Sequence, residues 1–126
     1  MNFEDFGKLL QARLQRTEKV LSGKAKEYSM NGDRLHNFKV AARITGETPE
    51  KALFGMFLKH LVSIMDIIDK PGSATPEQTD EKIGDAINYL ILLEAMLSER
   101  RSLSDVPFSP TRVNLERKVD INLGVS

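Results

Sequence analysis

The chain has 126 residues and a mass of 14.2 kDa, one domain's worth, able to bury about two-thirds of its unfolded surface; this excludes a multidomain machine. Lysine and arginine number 18, as do aspartate and glutamate, so no global basic field draws the protein to nucleic acid or to an anionic membrane. With 40% hydrophobic residues, 29% charged residues and no cysteine, the composition is that of a folded globular domain without disulfides, thiolate metal sites or thiol catalysis.

The opening Met1–Leu10 segment carries acids where a secretory signal carries bases. No apolar run approaches the roughly 18 residues of a spanning helix, and the expectation is a cytoplasmic protein without a membrane segment. Phe3, Phe6, Leu10, Leu14, Thr17, Leu21, Lys24 and Tyr28 follow spacings of three and four, which predicts a first amphipathic helix with one near-a/d stripe, capped by Asn2 with Asp5 and broken at Asn31-Gly32. Asp33 is the expected N-cap of a short second helix carrying Leu35, Phe38, Ala42 and Ile44 and ending at Gly46. Thr48-Pro49-Glu50 starts a third helix that runs to about Asp69, where Lys70-Pro71-Gly72 stops it. Thr75-Pro76-Glu77-Gln78 reads as a capping box for a fourth helix to about Arg101. Four successive helices predict an all-α four-helix bundle over residues 1–101. Residues 102–111 read as a linker, and Val113 to Val125 alternates apolar and polar side chains like a single β-strand in a C-terminal extension over 112–126.

The third helix is apolar nearly all round, which marks it as buried. It still carries Lys59, Ser63 and Asp66 in one line at i, i+4 and i+7, with His60 beside them. The fourth helix repeats the pattern with Glu81, Asp85 and Asn88. The short Pro-Gly connection makes the two helices antiparallel, so the lines are expected to meet, with Asp66, Glu81 and Asp85 converging on one cavity. Desolvated carboxylates need a compensating cation, either Mg²⁺ or Lys59. The alternative is plain: acids near helix ends exposed to water, and Lys59 with Asp66 as a structural ion pair. Asn88 between Ile87 and Tyr89 needs polar partners or a ligand.

Glu81-Lys82-Ile83-Gly84-Asp85 followed by Ala86-Ile87-Asn88-Tyr89-Leu90 resembles the E-x-x-G-D and D-x-x-N-Y helix motifs of the all-α nucleoside triphosphate pyrophosphohydrolase superfamily, which includes MazG-like enzymes, dimeric dUTPases and related small phage proteins. Lys26-Glu27-Tyr28, Gly32-Asp33 and Asn37-Phe38 resemble the opening of the phage members. The resemblance covers about Lys24 to Leu97. It implies a four-helix core assembled as dimers or tetramers, and Mg²⁺ held by acids against nucleotide phosphates, with cleavage between the α and β phosphorus. Glu81 and Asp85 are then metal ligands, Asn88 and Lys59 contact substrate, and Tyr28 and Asn37 line the base or sugar; the residue pattern itself adds Asp66 as a third catalytic and metal-binding carboxylate and His60 and Lys82 as substrate contacts. The chain departs from the MazG pattern in having one acid, Asp66, on the helix that elsewhere supplies three, and in carrying Lys82 where many members have a ligand glutamate.

Three functions follow as expectations: a Mg²⁺-dependent nucleotide pyrophosphohydrolase, a non-catalytic protein that binds a nucleotide or nucleotide-derived signal, and a phage-encoded inhibitor that docks on a host protein. The apolar seam of the first helix and the all-round apolar third helix also predict a homo-oligomer.

Overall fold

The computed structural model describes residues 1–28 and 32–104. Four helices follow in chain order: α1 (Phe3–Tyr28), α2 (His36–Thr45), α3 (Pro49–Asp69) and α4 (Pro76–Ser104), with a single 3₁₀ turn at Pro71–Ser73. The fold is all-α, and no strand occurs among the described residues. The strand expected over 112–126 lies outside them.

Local chemistry sets most of the helix ends. The Asp5 N–H donates to Asn2 Oδ1 at 2.8 Å, satisfying one of the amides left free by the first turn. Thr48 Oγ1 accepts from the Lys51 N–H at 3.3 Å ahead of Pro49. Thr75 and Gln78 form the reciprocal capping box, with Thr75 N–H donating to Gln78 Oε1 at 2.9 Å and Gln78 N–H to Thr75 Oγ1 at 3.1 Å. Gly46 ends α2 in the left-handed conformation, φ 72°, where a Cβ is strained.

Two boundaries differ from the expected ones. Asp33 is not the N-cap of α2: its Oδ1 accepts from the Leu35 N–H at 2.9 Å in a turn that precedes the helix, and Leu35 occupies the cap position without a side-chain bond. A short acidic side chain can bond its own backbone two residues on as readily as cap a helix. Helix α4 also continues past Arg101 to Ser104, so the helix overlaps the first residues of the expected linker; serine does not stop a helix as Pro71 and Gly72 do after α3.

Helices α3 and α4 form the antiparallel hairpin at the centre. Glu50 meets Arg100, Phe57 stacks on Tyr89 and His60 faces Asp85, so numbers rise along one helix as they fall along the other. Leu35 and Phe38 close over Leu53, Phe57, Ala86, Leu92 and Met96 to form the core, with Leu21 of α1 packed against it. Leu53 is fully buried. Helix α1 is tied to α4 by Asp80, whose Oδ1 takes Arg13 Nη2 at 2.6 Å and Arg16 Nη2 at 2.7 Å. Helix α2 is tied to α4 by Lys39, which bridges Asp33 and Glu99 at 2.7 Å each. No helix among the described residues is long and apolar enough to cross a membrane.

Candidate functional site

At about 100° per residue, Leu53, Phe57 and Ile64 fall within about 60° of His60 on α3. These residues make the face that meets α4, and His60 is its polar member. On α4, Asp85, Tyr89, Leu92 and Met96 fall within about 40° of one line, the face that meets α3. The crossing therefore brings His60 Nδ1 to 3.6 Å from Asp85 Oδ2, an ion pair when the imidazole is protonated. The His60 ring lies tilted against Tyr89, centroids 4.8 Å apart. Tyr89 is itself held by Phe57, stacked at 6.0 Å, and by the edge of Phe38 at 6.2 Å. Burial, and next the negative charge of Asp85, push the Tyr89 phenol above its usual range, so it stays protonated.

Asn88 follows one turn on from Gly84 and Asp85. Its Oδ1 is buried and has no hydrogen-bond partner. A buried amide oxygen without a partner costs about 1–3 kcal/mol, so a water, an ion or a ligand is needed to complete its bonding; Thr17 Oγ1 and Arg34 Nε are buried without a partner in the same way.

The other expected residues are placed less centrally. Lys59 and Asp66 fall about 100–120° round α3 from His60. They lie on the same side of the hairpin as Asp85 and Asn88 but turned outward, and both are exposed. Ser63 between them is half-buried and donates to the Lys59 carbonyl at 3.1 Å. Glu81 is exposed and Lys82 half-buried at the start of α4. Asn37 is exposed on α2. Tyr28 is the last residue of α1, and its side chain is outside the described residues. Among the described residues no three His, Asp or Glu side chains stand close enough to hold a metal ion. The expected convergence of Asp66, Glu81 and Asp85 on one cavity is therefore not found. The physical reason is that the helix–helix contact on α3 runs through His60, which leaves the Lys59–Asp66 line in water.

Sequence reasoning missed the role of Gly84. A Cβ at this position would come 2.6 Å from Arg13 Nη1, so the absent side chain lets the guanidinium lie on α4 while it pairs with Asp80. The signal is present in the glycine of the Glu81–Asp85 motif, but Arg13 lies 67 residues from Asp80 and no spacing rule connects them. Also missed is a cleft of about 420 Å³ at the far end of the hairpin, lined by Lys39, Arg43, Glu50, Met96, Glu99 and Arg100 among others. None of the expected site residues lines it.

Compared with known proteins, the chain matches no family model, no curated sequence and no solved structure.

Proposed function

We propose that the chain binds a nucleotide or nucleotide-derived ligand beside His60, Asp85, Asn88 and Tyr89, as a binding protein rather than a hydrolase. The observation that carries this reading is the buried, unpartnered Oδ1 of Asn88, an acceptor suited to an N–H of a base. It sits on the same helix turn as Asp85 and next in sequence to Tyr89, whose ring lies against His60. Lys59 and Lys82 have no carboxylate partner in any described ion pair and are the cations available for phosphate oxygens.

Mg²⁺ fits this donor set poorly. Glu81 and Asp85 are one turn apart and are the pair from which an ion carried in by nucleotide phosphates would take oxygens, but the third carboxylate, Asp66, does not join them. A centre that both activates water and offsets charge on the leaving pyrophosphate needs more acidic ligands than this, and no step is routed through it.

The test is calorimetric titration of the full-length protein with each common ribo- and deoxyribonucleoside triphosphate, with and without Mg²⁺, alongside an assay for pyrophosphate. Saturable binding without pyrophosphate release is the expected result. Absence of binding to every nucleotide overturns the reading, and Mg²⁺-dependent release of pyrophosphate overturns its non-catalytic part in favour of the hydrolase.

A further inference from the structure

The cleft at the far end of the hairpin is built by three stretches of chain. Helix α2 packs on α3 and is held to α4 by the Lys39 bridge to Glu99. The left-handed turn at Gly46 then leads through Glu47 to the start of α3. Lys39, Ala42 and Arg43 stand at i, i+3 and i+4 on α2, and Met96, Glu99 and Arg100 repeat that spacing on α4, so each helix turns one face into the cleft. Pro49 and Glu50, in the first turn of α3, complete the lining. The volume of about 420 Å³ falls within the roughly 300–1,000 Å³ of small-molecule sites. Its inner wall is apolar, since Ala42 and Met96 are each 3% exposed.

The charges around it balance. Lys39, Arg43 and Arg100 stand against Glu47, Glu50 and Glu99, so a polyanion entering the cleft would meet three carboxylates and a polycation three cationic side chains. One pair is satisfied, with Lys39 Nζ and Glu99 Oε1 at 2.7 Å. Two groups are left over. Glu50 Oε2 lies 3.4 Å from Arg100 Nη1, close enough for attraction, but it is buried and accepts no hydrogen bond. Burial of a carboxylate is offset only when it is hydrogen-bonded as well as paired, so this oxygen lacks an N–H donor. Arg43, in the last turn of α2, is exposed and takes part in no described ion pair.

We infer that the cleft binds a small zwitterion with an apolar body, the chemistry of a free α-amino acid or a short peptide. The ligand's ammonium group donates to Glu50 Oε2, its carboxylate is taken by Arg43, and its apolar part lies on Ala42, Met96 and Pro49. What the cleft's own bonding leaves over is one negative acceptor and one forked positive donor, and a zwitterion is the complement of that pair. A neutral apolar molecule leaves the Glu50 oxygen as it is, and a simple anion or cation answers only one of the two groups. None of His60, Asp85, Asn88 and Tyr89 lines the cleft, so the inference does not depend on what that site binds.

The experiment is calorimetric titration of the full-length protein with leucine, methionine, phenylalanine and the dipeptide leucyl-leucine, each to about 10 mM, past the weak end of affinity for so small a ligand. Saturable binding of at least one is expected, and the tighter of amino acid and dipeptide shows which source of the zwitterion the cleft takes. For the compound that binds, the amide lacking the carboxylate and the N-acetyl derivative lacking the ammonium are each expected to bind about tenfold more weakly or worse, the loss of one charge-assisted contact. Arg43→Gln and Glu50→Gln are expected to weaken binding by about the same factor with the far-UV helical signal retained. If Glu50→Gln loses that signal, Arg43→Gln decides, because it changes an exposed side chain. Failure of all four compounds to bind, full binding of either blocked derivative, or unchanged binding in Arg43→Gln overturns the inference.

Discussion

Helices α3 and α4 each carry three polar residues at i, i+4 and i+7, and the two lines end in different surroundings. On α3, Lys59 and Asp66 are exposed, with Ser63 half-buried between them. On α4 the line runs from exposed Glu81, through Asp85 facing His60, to Asn88 with its Oδ1 buried and unpartnered. The spacing is the same, but the contact line of one helix passes through its polar residues and that of the other passes beside them. A polar line inside an apolar helix therefore marks a shared face, and only the crossing decides whether that face is buried.

The largest effect is expected where the α4 line is supported. Phe57→Ala removes the ring stacked on Tyr89 and a buried part of the core, and should cost about 3–5 kcal/mol, read as a fall in the denaturant midpoint. A loss below about 1 kcal/mol, far under the usual cost of emptying a core aromatic site, would show that Tyr89 and His60 are not held from beneath.

Asn88→Leu separates structure from binding. If the buried Oδ1 waits for a ligand, replacing the amide with an apolar group of similar size should leave stability unchanged or raise it by about 1 kcal/mol, while nucleotide binding is lost. A destabilised variant would instead give Asn88 a structural partner.

A smaller effect is expected at the Lys39 bridge, a polar group tied down on both sides. Hydrogen bonding to Lys39, then to the Leu35 N–H, holds the Asp33 carboxyl below its usual value near 3.8. A carboxyl whose folded pKa is depressed contributes stability above its unfolded pKa, and that contribution is lost as pH falls through the folded value. Lys39 is raised above 10.5, first by its bond to Asp33 and then by that to Glu99; its contribution is present below 10.5 and lost as pH rises through the folded value. Both side chains are about one-third exposed, so water screens the pair, and Lys39→Met should cost about 1 kcal/mol at neutral pH. The difference between variant and wild type should shrink below about pH 4 as Asp33 takes up its proton. A difference independent of pH in thermal melts would refute the ion-pair account.

The smallest effects belong to the α3 line. Lys59→Ala and Asp66→Ala should each change stability by no more than about 0.5 kcal/mol. Asp66→Ala should leave nucleotide binding unchanged, whereas Lys59→Ala should weaken it, and calorimetry on both variants distinguishes the two positions.

Much of the fold is local and legible without coordinates. The Thr48 cap, the Thr75 and Gln78 box, Gly46 and the Pro71-Gly72 stop act within a few residues of themselves, so their chemistry can be read one turn at a time. The site is half legible. Asp85 and Asn88 stand out because polar groups are costly on an apolar helix, whereas His60 stands beside a more regular line that draws attention from it. The Arg13, Arg16 and Asp80 contact is not legible at all, because it joins distant parts of the chain through long side chains that carry no periodic signal.

The amino-acid sequence by itself determined that four helices form, where most of them start and stop, and that α3 and α4 return on each other, since caps, breakers and a short connection settle these over distances of a few residues. Tertiary structure decided which stripe of each helix is inside. Rotating an all-round apolar helix by one residue, about 100°, exchanges buried for exposed positions with little change in local energy, so Phe57 rather than Leu58, and His60 rather than Lys59, face α4 only because the packing of all four helices selects that rotation.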